Sequence, residues 1–279
     1  MPPYSQVSSL PSDSRKRVST TDLIRMKQSG QKIVMLTAYD ALFASLLDQA
    51  GVEVLLVGDS VATVLAGEET TLAATLDQMI YHGRIVRRGT SHALVVIDLP
   101  FLTYQVSVEE AIRNAGRVMQ QTGAGAVKLE GGATMARTVR ALVDVGIPVM
   151  GHLGFTPQSV HALGGARVQG RQEDAAERLL ADARALEEAG AFSLVLELIP
   201  APLAERVTAS LTIPTIGIGA GPSCDGQVLV LHDMLGLNQG FNPKFLKRYA
   251  ELGKQVTEAA QQFANEVRAG TYPGTEHSH

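Results

Sequence analysis

Residues able to do chemistry recur at one kind of place in this chain, directly after short runs of apolar, β-branched residues. Gly58-Asp59-Ser60 follows one run, Asp98 ends a second, Lys128-Leu129-Glu130 closes a third, Gly151-His152 a fourth, and Glu197 sits inside a fifth. Such side chains are rarely buried unless paired or bound to a cation. Three carboxylates gathered within a few ångströms, Asp59, Asp98 and Glu130, would repel one another and hold their protons unless a cation joined them. Oxygen-only ligands suit a hard ion such as Mg2+, which keeps waters that substrate oxygens can replace. For each acid taken alone, a salt bridge or a cap on the next helix is the competing explanation.

Lys128 and Glu130 lie two apart on one strand and therefore face the same side. Charge between a strand and its covering helices is costly, so that side is expected to be the interior rim of a sheet or barrel. There Lys128 would meet a substrate carboxylate or keto oxygen. A Schiff base is the rival role for such a lysine, disfavoured because neighbouring acids keep the ammonium charged. Glu197, within an apolar run, is expected as a general base; a salt bridge to Arg167 or Arg171 is the alternative. His152 either donates a hydrogen bond to a developing oxyanion or packs on its own loop. Gly217-Ile218-Gly219-Ala220-Gly221 could bring backbone N–H groups to a ligand or simply form a tight turn. Cys224 stands without a recognisable base and is expected to be inert.

The elements that must position these groups alternate regularly. Strand patterns fall at 33–38, 52–58, 94–99, 126–130, 148–152, 192–198 and 214–218. Helical patterns fall at 41–50, 76–88, 107–122, 133–145, 173–189, 203–208 and 245–267. Alternation of this kind implies βα units and a parallel sheet. The strands are nearly all apolar, as expected when both faces are covered. Ser107 followed by Glu110 has the spacing of a capping box at a helix start. Seven units within 279 residues favour a closed (β/α)8 TIM barrel over an open doubly wound sheet. The eighth unit, 228–235, is ambiguous, with helix favoured, and a helix over 20–28 is expected to close the barrel's bottom. Active groups of such barrels sit at the carboxyl ends of the strands, where the five polar positions fall.

Residues 20–279 are expected to form one catalytic domain. Residues 1–19, rich in Ser and Pro with a basic run at 15–17, are expected to be a disordered tail, a mitochondrial transit segment being the alternative. A net charge of −4 and the absence of Trp argue against nucleic acid as a partner. No run approaches the roughly 20 apolar residues of a membrane span. One cysteine rules out an internal disulfide and fits a reducing, cytoplasmic location.

Seven motifs occur in one order: Thr37-Ala38-Tyr39-Asp40, Gly58-Asp59-Ser60, Asp98-Leu99-Pro100-Phe101, Val127-Lys128-Leu129-Glu130-Gly131-Gly132, the stretch Gly151 to Ser159, Val168-Gln169-Gly170-Arg171, and Ile216 to Gly221. As a set they closely resemble the ketopantoate hydroxymethyltransferases, and the tail from Tyr272 to His277 is similar to that family's C-terminus. The resemblance runs from about residue 20 to the end. It implies a barrel of the phosphoenolpyruvate/pyruvate type, Mg2+ as cofactor, 5,10-methylenetetrahydrofolate as one-carbon donor, and a homo-oligomer, usually a decamer. The implied reaction hydroxymethylates 3-methyl-2-oxobutanoate to 2-dehydropantoate in pantothenate biosynthesis. Carried over by position, Asp59, Asp98 and Glu130 belong to the metal site, with Asp59 and Asp98 closest to the ion. Ser60 and Lys128 hold the oxo acid, and Glu197 accepts the proton. The stretch Val61 to Ala66 departs from the family pattern, which leaves the shape of the substrate loop open. A carbon–carbon lyase of the same barrel type and a non-catalytic barrel that senses an oxo acid are the rival readings. Such lyases commonly carry an acid cysteine on a rim loop, and the second rival leaves Glu197 unexplained.

Overall fold

The computed structural model describes residues 15–278, which divide along the chain into two compact units, the boundary falling inside the last strand between Val228 and Leu229. In the first unit the chain order is α1 (Thr20–Ser29), β1 (Ile33–Thr37), α2 (Ala41–Gln49), β2 (Val54–Val57), α3 (Val61–Val64), α4 (Leu76–Arg88), β3 (Leu94–Asp98), α5 (Val108–Thr122), β4 (Ala126–Glu130), α6 (Ala136–Asp144), β5 (Val149–Gly154), α7 (Val160–Leu163), α8 (Glu173–Glu188), β6 (Ser193–Glu197), α9 (Ala201–Ser210), β7 (Thr215–Ile218) and β8 (Gly226–Leu229). The strands run parallel and close in sequence order into an eight-stranded barrel. That is the TIM barrel the alternation implied.

Side chains on a strand alternate between its two faces, and this sets the layering inside the barrel. Val96, Ala126, Met150, Val195 and Ile216 belong to one buried apolar cluster with Met35, Val54 and Leu94. Two residues further along their strands stand Asp98, Lys128, His152, Glu197 and Ile218. Because the apolar residues point inward, the ionisable ones do too, and they form a polar layer directly above an apolar floor. Leu23 and Met26 of α1 join that floor, so this helix plugs the lower mouth. Its start is fixed by a capping box between Ser19 and Asp22.

Side-chain caps fix the starts of three further helices. Asp40 caps α2 through the Phe43 N–H, Thr75 and Gln78 form a capping box on α4, and Ser107 caps α5 through the Glu110 N–H. At the start of β3, Asp48 accepts N–H bonds from Ser91, His92 and Ala93. Burial alone would raise its pKa, but these bonds hold it below the ordinary value. The expected tail enters the description at Arg15. Arg15 Nη2 donates to the Asp48 carbonyl, Arg17 Nε to that of Ser91, and Val18 lies in the core. Residues 1–14 lie outside the described residues.

Two elements differ from expectation. Residues 226–229 form the eighth strand, whereas a helix was expected over 228–235; the helical part is only α10 (Leu231–Met234) in the second unit. Ile33 N–H donates to the Asp225 carbonyl, and Gly226 packs so closely on the Ile33 carbonyl that a Cβ would stand 2.4 Å from its oxygen. Barrel closure thus demands an extended glycine there, overriding the helical spacing of the apolar residues. The last helix, α11 (Leu252–Ala269), starts seven residues later than expected. Arg248 Nη2 donates to the carbonyls of Gln239 and Phe241, and Tyr249 N–H to that of Met234. These bonds hold 245–251 away from helical geometry. No helix of the described residues is long and apolar enough to cross a membrane.

Candidate active site

Register brings the polar positions together in pairs. Asp98 lies beside Lys128 across β3 and β4, and Glu130 beside His152 across β4 and β5. Lys128 Nζ donates to Asp98 Oδ1 at 2.6 Å, with both side chains buried. Asp98 Oδ2 accepts the backbone N–H of Asp59 at 3.1 Å, so the second and third strands deliver their acids to one spot. His152 lies between two carboxylates, with Nδ1 3.5 Å from Glu130 Oε1 and Nε2 3.2 Å from Glu197 Oε2. Neither ring nitrogen completes a hydrogen bond of good alignment, and Glu130 Oε1 is likewise without one. Buried polar atoms left without a hydrogen bond in this way call for a partner that the protein itself does not supply.

The electrostatics follow from crowding. Burial, with the negative charge of Asp98 and Glu130 beside it, pushes the Asp59 carboxyl up to about 8. Burial depresses Lys128, but Asp98, Glu130 and Asp59 outweigh it and the ammonium is held above its ordinary value. A lysine so charged is no Schiff-base nucleophile. Burial and Lys128 act downward on His152, yet Glu130 and Glu197 prevail and raise it to about 9. The layer therefore binds protons in place of further positive charge.

A divalent ion fits the same deficit. Asp59 and Asp98 are adjacent, buried oxygen donors, and a cation would relieve the repulsion that raises Asp59. Among the described residues no group of three or more His, Cys, Asp or Glu side chains could hold a metal ion alone. Glu130, expected to join the other two acids around an ion, instead accepts the Gln158 N–H at Oε2 and faces His152. An ion on Asp59 and Asp98 would complete its shell with water and substrate oxygens, as Mg2+ commonly does.

Ser60 Oγ is 2.8 Å from the Tyr39 hydroxyl beyond the carboxyl end of β2. Glu197 faces His152, and neither Arg167 nor Arg171 forms an ion pair with it among the described residues. It is set by a close crossing of β5 and β6. Phe155 N–H donates to the Glu197 carbonyl, and Gly154, at φ +94°, lies where a Cβ would come within 2.1 Å of that oxygen. The next residue, Leu198, is left-handed at φ +46°, a conformation costly for a branched side chain. Cys224 is buried and its thiol is raised by that burial, so it supplies no rim-loop acid. Sequence reasoning missed Tyr39, Tyr104 and Gln158. The tyrosines are fully buried, and Gln158 joins three of the loops that shape the site. All three stand in or next to the quoted motifs, but an uncharged residue in a loop gives no warning of burial.

Comparison with known proteins bears on this site. Residues 17–275 match the family model described as ketopantoate hydroxymethyltransferase. A 3-methyl-2-oxobutanoate hydroxymethyltransferase of Pelobacter propionicus is 56% identical over 96% of this chain and 99% of its own length. One from Syntrophus aciditrophicus is 57% identical over 95% and 98%. Among solved structures, 2,3-dimethylmalate lyase superposes with a TM-score of 0.57 at 17% identity, covering 94% of this chain and 92% of its own. Phosphonopyruvate hydrolase, solved with oxalate and Mg2+, gives 0.59 at 14% identity, with 93% of each chain covered. At that identity these two structures speak for the fold alone.

Proposed function

The chain belongs to the ketopantoate hydroxymethyltransferase family, and from that premise we propose that it joins the methylene carbon of 5,10-methylenetetrahydrofolate to C3 of 3-methyl-2-oxobutanoate, with one water supplying the hydroxyl oxygen, giving tetrahydrofolate and 2-dehydropantoate for pantothenate synthesis. The observation that carries the mechanism is Glu197 Oε2 at 3.2 Å from a buried His152, across the barrel mouth from the Asp98–Lys128 pair. Mg2+ held by Asp59 and Asp98, with Glu130 alongside, would stabilise negative charge on the 2-oxo oxygen by several kcal/mol.

The chain's own residues do the rest. Glu197 takes the proton from C3 of the oxo acid, a general-base contribution of roughly 10²–10⁴-fold. His152, charged below about 9, offers its Nε2 proton to Glu197 or to developing oxyanion charge. Lys128 stays protonated and offsets charge that Asp98 alone would add to the site. Ser60, oriented by the Tyr39 hydroxyl, presents a hydroxyl to the substrate carboxylate. The apolar floor beneath the polar layer excludes water from below, which strengthens each of these interactions. An oligomer, expected to be a decamer, would cover Leu42, Leu46 and Tyr81, which are exposed on α2 and α4.

The direct test supplies both substrates with Mg2+ or with a chelator and follows tetrahydrofolate and 2-dehydropantoate. Product in the first mixture and none in the second is expected. Turnover unaffected by chelation would remove the metal from the reading, and no product at all would remove the reaction.

A further inference from the structure

We infer that Gln158 is the positioning residue that aims Asp59 at the cation, a role resting on the reading that Asp59 and Asp98 hold that ion. Gln158 sits on the 3-10 turn Pro157–Ser159 after β5 and is 5% exposed. Its amide nitrogen donates to Asp59 Oδ2 at 2.9 Å and to the Leu99 carbonyl at 3.0 Å. Its amide oxygen accepts from the Tyr104 hydroxyl at 2.8 Å and from Gln105 Nε2 at 3.2 Å. Its backbone N–H donates to Glu130 Oε2 at 3.0 Å.

Two acceptors face one side of the amide and two donors the other, so its orientation is dictated by its neighbours. Every hydrogen-bonding valence of the side chain is used. One residue therefore fixes one oxygen of Asp59 and one of Glu130 while adding no charge. A glutamate would set a second carboxylate against Asp59 Oδ2 and the Leu99 carbonyl. A shorter asparagine on the same turn would fall about a methylene short of them. The clamp also ties the turns after β2, β3 and β5 to the end of β4. Carboxylates held by such outer hydrogen bonds bind metal more tightly because their orientation is fixed before the ion arrives.

The test uses the full chain in its native assembly, with Mn2+ as probe read by electron paramagnetic resonance and Mg2+ by calorimetry. Gln158→Met, close in shape and without hydrogen bonds, is expected to weaken Mn2+ binding ~10-fold or more. Raised Mg2+ should then restore much of kcat, with KM for the oxo acid little changed. Tyr104→Phe removes one donor to the amide oxygen, and with it the acceptor of the Glu130 N–H, and is expected to weaken Mn2+ roughly three-fold; Gln105→Met, which removes the other donor and leaves Glu130 untouched, decides the matter if Gln158→Met does not fold. A glutamine of merely structural use would lower the thermal midpoint and leave the metal constant alone, and that result overturns the inference. Asp59→Asn is measured alongside. If it binds Mn2+ like the parent, the metal site itself is wrong; if it fails to bind while Gln158→Met and Tyr104→Phe bind normally, only the clamp is wrong.

Discussion

Substituting Lys128 by Met isolates the electrostatic logic of the polar layer. The ammonium lies 2.6 Å from Asp98 Oδ1, with the two side chains 5% and 4% exposed, and Asp59 and Glu130 act on it as well. Methionine has nearly the same shape, so packing is kept and the charge alone is lost. Breaking a buried pair by removing one partner costs about 3–5 kcal/mol, because an uncompensated charge stays behind. For a chain of this size that lowers the melting midpoint by on the order of 10 °C. The loss should be larger at pH 8 than at pH 6, since protonating Asp59, already pushed up to about 8, relieves part of the repulsion. The double variant Asp98→Asn with Lys128→Met replaces the pair by neutral groups and should recover at least half of the lost stability. The assay is thermal or urea unfolding in chelator, so that no divalent ion stands in for the lysine. A Lys128→Met protein within about 1 kcal/mol of the parent at pH 8 would refute the reasoning, because the layer would then tolerate three acids without a cation.

Three further outcomes are expected. Glu197→Gln should still bind 3-methyl-2-oxobutanoate yet cease to exchange its C3 proton with deuterated solvent; persistent exchange, read by proton NMR, would take the base role from Glu197. Asp59 and His152 both hold protons in the fold beyond their ordinary values of 3.8 and 6.5, at about 8 and about 9. Without divalent ion the folded state therefore carries the extra protons, and stability should fall as pH rises through that window. Mg2+ should flatten the profile and release protons on binding near pH 7, seen as a buffer-dependent calorimetric heat; a metal-free midpoint that rises across the window contradicts this. Gly154→Ala should cost about 1–3 kcal/mol from overpacking and lower kcat more than it raises KM, because the added carbon would meet the Glu197 carbonyl. A variant with parental kcat would show that this crossing does not set the base.

How much of this could be read beforehand depended on whether the signal was local. β4 (Ala126–Glu130) and α4 (Leu76–Arg88) fall where composition puts them, because each is bounded by its own turn and cap residues. The parity of Lys128 and Glu130 on one strand gave the inward face correctly for the same reason. β8 escaped because its extended form comes from pairing with the strands on either side, not from its own pattern of Val228, Leu231 and Leu235. The start of α11 escaped because Arg248 captures carbonyls from the preceding loop. Within the site, charge at a strand end is legible, and register sets Asp98 beside Lys128 and Glu130 beside His152. Gln158 was not legible, since its burial depends on Asp59, Leu99 and Tyr104 arriving from other loops.

The alternation that turns the ionisable residues inward has a sharp corollary for insertions and deletions. Deleting one residue inside β3, β4, β5 or β6 would rotate that strand's remaining side chains by half a turn, sending a carboxylate, an ammonium or an imidazole into the oily seam beneath α5, α6 or α8. Loss of activity and loss of solubility would then arrive in the same variant. Length changes in the connections between strand and helix carry no such coupling, so the loops can lengthen or shorten without turning a charged side chain outward.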